Sequence, residues 1–216
     1  MGIPFSIEEF LNVFEVYNLA IQPIQVIAYV LGALAVLFAI LKSSYSRIII
    51  LSILATFWAW TGVAYHIVNF SEINKAAYVF GALFLVQAIL LLLAAFQSNK
   101  LTFQLSFTAS AVIGAIFIAY AMVVYPFLNY MFGHVYPKMP VFGVAPCPVT
   151  IFTFGLLLWI KEKIPLYVVA IPFLWSLIGV SAAIQLKIVE DYGLVVAGIV
   201  GTALIIVNNR NKSGHK

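Results

Sequence analysis

The chain has 216 residues, of which 64% are hydrophobic and 8% charged, with a formal net charge of +4 and a mean hydropathy of +1.11. Soluble domains carry about a quarter charged residues, so this composition excludes an ordinary soluble domain. The positive charge sits in short loops and in the tail RNKSGHK, as expected of basic cytoplasmic ends, and gives no support to nucleic-acid binding.

Apolar stretches reach the roughly 20 residues needed to cross a hydrocarbon core of about 30 Å, and the ten-residue alternation of a β-barrel is missing. The fold class is therefore an all-α membrane protein, a single domain of about seven transmembrane helices. Ahead of them Ser6 and Glu9 form a capping-box pattern. Ile7, Phe10, Leu11, Phe14 and Tyr17 follow at helical spacing, which predicts a short amphipathic N-terminal interfacial helix over 7–20, ending before Pro23. Glu8, Glu9 and Glu15 with no Lys or Arg in this stretch are the opposite of a signal peptide's basic start.

Spans are predicted at about 24–41, 48–69, 76–96, 103–127, 148–160, 165–185 and 192–207. Lys42, Arg47, Lys100, Lys161, Lys163, Arg210, Lys212 and Lys216 then fall on one side, and Lys75, Lys138 and Lys187 on the other. The positive-inside rule puts the N-terminus outside and the tail 208–216 in the cytoplasm, in a cell membrane. Segments 24–41 and 73–90 match at ten of eighteen positions, a trace of parallel duplication that the next spans do not continue. Ser106, Ser110 and Gly114, Ala111, Ala115 and Ala119, Gly179 with Ala183, and Ala197 with Gly201 are small-residue stripes for close helix packing. Pro172 can kink the sixth span.

The fifth span is the unusual one. Pro148 to Ile160 is 13 residues, about 20 Å of helix against about 30 Å of core. Its start is expected below the outer surface, drawing FGHVYPKMPVFGVAPCPVTIFTFG (132–155) inward; this stretch holds four of the nine prolines and the single cysteine. Irregular backbone at membrane depth must be packed in protein or line a cavity.

Topology places His66, His134 and Cys147 on the outer side, with Glu72, Glu190 and Asp191 as secondary candidates. Pro148 at the first helical position would make Cys147 the N-cap of the fifth helix, where the helix dipole favours a thiolate and apolar burial opposes it. Two imidazoles and a thiolate suit a soft or borderline divalent metal, although no close ligand spacing is present. Cys147 with His66 could also form a nucleophile–base pair. The structural alternatives are a small buried cysteine, an interhelical tether at His66 and an ordinary loop histidine at His134. G-x-S-x-G, H-E-x-x-H and paired intramembrane aspartates are missing, and one histidine within the spans does not make a bis-histidine haem site. Trp159 and Trp175 read as packing or interfacial residues.

YN (17–18), WAWTGVAYH (58–66), FSEINKAAYVFG (70–81), GHVYPKMPVFGVAPCPVTIFTFG (133–155), IPFLWSLIGVSAA (171–183) and EDYGLVVAG (190–198) resemble an uncharacterised family of prokaryotic multi-pass membrane proteins, catalogued as a domain of unknown function. The resemblance covers nearly the whole chain and implies one integral membrane domain; it carries no catalytic residues, and the permease label on some members follows hydropathy. The expectation is a small permease or metal- or solute-handling protein with an outward-facing site near the Pro-Cys-Pro segment. A membrane scaffold or accessory subunit, working as a homo-oligomer or in a larger complex, is the alternative, and a thiol-dependent intramembrane enzyme the third.

Overall fold

Ser6 does cap a helix: its hydroxyl accepts from the Glu9 amide, and the Glu9 carboxylate accepts from the Ser6 amide at 2.8 Å. That helix, α1 (Ile7–Ala20), turns Phe10, Val13, Phe14, Tyr17 and Asn18 into the protein. The computed structural model describes residues 4–97 and 101–212. Beyond α1 lie α2 (Ile24–Leu41), α3 (Ser46–Glu72), α4 (Ala77–Gln97), α5 (Ala109–Met131), α6 (Pro146–Leu157), α7 (Tyr167–Leu186) and α8 (Val189–Asn211). Among the described residues, six of these, α2 to α5, α7 and α8, are long and apolar enough to cross a membrane.

The predicted fifth span is present as α6, but it is too short to cross alone. It lies inside the other helices. Every residue from Pro140 to Ile160 is buried, and α6 packs on α3, α5, α7 and α8. The outer helices meet in the order α2–α3–α4–α7–α8–α5, and Gly32 of α2 and Met122 of α5 close the circuit over the Phe142 ring. Lipid tails are as apolar as leucine, so close packing rather than water exclusion must hold such helices together. Gly114 and Gly155 provide it where α5 crosses α6: a methyl on Gly114 would stand 2.7 Å from the Gly155 carbonyl oxygen. Thr150 and Thr153 hide their hydroxyls on carbonyls one turn back, and Thr153 also accepts the Trp58 indole N–H at 2.9 Å.

Several predicted boundaries shift. The fourth span begins at Ala109 rather than 103, because Thr108 caps it and residues 101–108 are not helical. Phe103 there forms an isolated antiparallel bridge with Ile160, so Ser106 belongs to no helical stripe. The last helix continues to Asn211, through the start of the predicted tail. The Pro-Cys-Pro helix starts at Pro146, with Ala145 as its N-cap. Cys147 is therefore the second helical residue and not the cap, since Pro146 takes the first position, where a missing N–H costs nothing.

The two ends of α6 lie at opposite ends of the bundle. Lys42, Arg47 and Lys161 line one hollow near Trp159, and Lys161 and Lys212 line the next. Four of the eight basic residues predicted to share a side, Lys42, Arg47, Lys161 and Lys212, thus gather at one end; Lys100 and Lys216 lie outside the described residues.

Candidate functional site

At the Cys147 end the second predicted span carries an irregularity that hydropathy cannot reveal. The first part of α3 is an α-helix (Ser46–Trp60), but Thr61–Asn69 is a π-helix, closed by a 3-10 turn at Phe70–Glu72. The wider turn has side-chain support: Asn69 Nδ2 donates to the Ala64 carbonyl five residues back, at 2.7 Å. Such segments re-aim side chains and often mark functional positions. Here His66 points into the bundle and is fully buried.

Rings surround this imidazole. Those of Phe84, Trp175 and Tyr65 have centroids 4.7, 5.0 and 5.1 Å away, and Phe80 and Phe70 follow at 5.9 and 6.1 Å. Neither ring nitrogen of His66 has a hydrogen-bond partner. Buried polar atoms are paired in the great majority of cases, and an unpaired one costs about 1–3 kcal/mol, so this exception needs a reason.

His66, Cys147 and Asp191 line one cavity of about 120 Å³. Phe5, Phe10 and Phe14 from α1 and its approach, Pro140 and Pro146, and Trp175 and Ala182 of α7 form other parts of the wall. The first helix is therefore more than an anchor at the interface. Its Tyr17 hydroxyl donates to the Val144 carbonyl and accepts from Trp60 Nε1, each at 2.8 Å, while Asn18 Nδ2 holds the carbonyls of Pro137 and Met139. Burial pushes the Tyr17 phenol above the ordinary tyrosine range, which keeps it a donor. These bonds fix the proline-rich segment that leads into α6.

Asp191 comes from the first turn of α8. Lys187 ends α7 in the left-handed region (φ +58), and the 3-10 turn Val189–Asp191 then brings both acids inside. The Tyr125 hydroxyl donates to Asp191 at 2.5 Å, and the Cys147 thiol lies beside the same carboxylate. Trp175 Nε1 approaches the thiol without making a hydrogen bond. Glu190 takes a different partner: His134 Nδ1 is 2.7 Å from its Oε1, and its backbone carbonyl accepts from the Tyr120 hydroxyl at 2.7 Å.

The six sequence candidates thus divide three ways. His66, Cys147 and Asp191 share a cavity, His134 and Glu190 form a neighbouring pair, and Glu72 is exposed at the end of α3. His66, His134 and Cys147 do not converge as a ligand set. Among the described residues no group of three or more His, Cys, Asp or Glu side chains is arranged to hold a metal ion. The nucleophile–base pair is not formed either, because both nitrogens of His66 are unpartnered and Cys147 lies against a carboxylate. What the arrangement can do is bind: a small aromatic-walled chamber with a carboxylate, a thiol and an imidazole free to give and accept a hydrogen bond.

Sequence reasoning missed Trp175 and Tyr125 as partners in this site. The available signal was indirect: an acid pair at the end of an apolar span requires donors on facing helices. A family described as a family of unknown function (DUF6064) matches the chain over residues 7–216. The chain belongs to this family. The DUF6064 match covers every element described above, from α1 to α8, as the motif resemblance implied. No curated protein and no solved structure matches the chain.

Proposed function

We propose that this DUF6064 protein is a permease-like membrane protein that binds a small solute in the cavity bounded by α1, α3, α6 and α7. One observation carries the reading: the fully buried His66, with both nitrogens unpartnered, stands on the wall of the chamber that also holds Cys147 and Asp191. A polar group left unsatisfied at a cavity wall is provision for something that arrives. Pro140 and Pro146 also line the cavity, and their fixed backbone lowers the ordering cost of binding on that part of the wall.

The gathering of Lys42, Arg47, Lys161 and Lys212 at the far end supports a cytoplasmic position for that end by the positive-inside rule, which directs the cavity to the outer face of a cell membrane. Methyl methanethiosulfonate, small and uncharged, tests the site on the detergent-purified chain. Cys147 is the single cysteine, so the added mass reports this position alone. We expect labelling of the folded protein, slowed when Ala182→Trp fills the cavity. Labelling of Cys147 only after unfolding, or at an unchanged rate in Ala182→Trp, defeats the reading. On intact cells a charged, membrane-impermeant thiosulfonate should label from outside; reaction confined to inverted vesicles reverses the orientation.

A further inference from the structure

Resting on the reading that the cavity is a solute site, we infer that its ligand is a small primary amine, held as the ammonium cation. The wall is built largely of aromatic rings, among them Phe10, Phe14, Tyr65, Phe70, Phe80 and Trp175. Aromatic faces attract cations, most strongly where water is excluded. Asp191 is the carboxylate on that wall, and among the described residues no Lys or Arg lines it.

Asp191 is 4% exposed, and what holds it is neutral: the Tyr125 hydroxyl and the adjacent Cys147 thiol. The nearby His134 imidazole is committed to Glu190. A carboxylate at membrane depth without a cation of the protein's own is set to receive one. His66 supplies the second contact. Its neutral ring offers one acceptor nitrogen and one N–H, and neither is used within the protein.

An alkylammonium ion matches this wall group by group. In the bound state one N–H would meet Asp191 and a second, once the rings over His66 give way, its acceptor nitrogen, with the positive charge facing the rings. A quaternary ammonium has no N–H for either residue, an alcohol lacks the charge, and a carboxylate is repelled by Asp191. The cavity of about 120 Å³ is a little smaller than an engineered apolar cavity of about 150 Å³ that holds one benzene, the scale of a short alkyl chain.

The test compares butylammonium, butan-1-ol and butyrate at matched ionic strength on the detergent-purified full chain. Titration calorimetry and protection of Cys147 from methyl methanethiosulfonate are the readouts. We expect butylammonium to bind and to shield Cys147, with butan-1-ol weaker by roughly ten-fold or more and butyrate inactive, as for hydrogen bonds to charged groups. Asp191→Asn should weaken butylammonium by a similar factor and His66→Phe by a smaller one. Butan-1-ol binding as tightly as butylammonium, or butylammonium binding unchanged by Asp191→Asn, overturns the cation while leaving the cavity in place. Absence of butylammonium binding while folded Cys147 still labels does the same. If Cys147 does not label at all, the cavity reading itself has failed. Should Asp191→Asn not fold, the three-ligand comparison on the unmodified chain decides alone.

Discussion

The two ends of α6 handle their polar groups in different ways. Around Trp159 they are stitched to one another: the Trp159 indole donates to the Ala111 carbonyl, and Asn209 holds both the amide and the carbonyl of Ile164. Asn208 donates to Ser110, while Glu162 takes both the amide and the hydroxyl of Thr102. Around Cys147 the chain leaves His66 Nδ1 and Nε2, Trp175 Nε1, Glu190 Oε2 and Asn129 Oδ1 without partners. The ends differ in burial as well: Thr102 is exposed and Glu162, Asn208 and Asn209 are half-buried, whereas the open valences near Cys147 are buried, where an unpaired group costs most. Groups paired with one another hold the fold together; of the groups without partners, those of His66 and Trp175 belong to residues that line the cavity, while Gln87 Oε1 and Thr202 Oγ1 stand elsewhere in the bundle.

The largest effect is expected at the stitched end. Trp159→Ala removes a ring packed on Gly114 and a buried hydrogen bond, and should cost about 3–5 kcal/mol in reversible unfolding from detergent. Loss of less than about 1 kcal/mol would erase the contrast. Tyr17→Phe probes a group at the other end that is paired. It strands the Trp60 N–H and the Val144 carbonyl, so a cost of about 1–3 kcal/mol is expected, making it behave like a residue of the stitched end. His66→Phe should have the smallest effect and the opposite sign. Replacing an unpaired imidazole inside a box of rings with another ring should stabilise by about 1 kcal/mol. A destabilisation approaching that of Trp159→Ala would mean that His66 is structural after all.

Much of this was legible in the sequence, for identifiable reasons. Hydropathy reports how long each apolar stretch is, so seven spans with a short fifth were predicted, and the six long ones are the helices able to cross, while the fifth is the enclosed α6. The shortness of 148–160 implied an inward-drawn proline segment, and Pro140 to Ile160 is buried throughout. Counting lysines and arginines sorted His66, Cys147 and Asp191 to the same end. Sharing an end is weaker than sharing a site, and the same count included Glu72, which is exposed. The π-helix at Thr61–Asn69 inserts its extra width without a compositional mark, so the direction of His66 was out of reach. Trp175 read as packing because nothing local to IPFLWSLIG reports which helix it faces. The metal expectation assumed that residues on one side converge, whereas the fold gives His134 to Glu190.

The enclosure of α6 also constrains how the protein is made. A helix of 12 residues is about 18 Å long and cannot by itself bridge a bilayer core of about 30 Å as it leaves the ribosome. Two of the helices that wall it in, α7 and α8, are synthesised after it. The centre of this protein must therefore wait at the membrane surface or in a half-built bundle until its own periphery arrives. Its assembly is completed from the outside inward, and the chamber at the Cys147 end exists only once the last helix has docked.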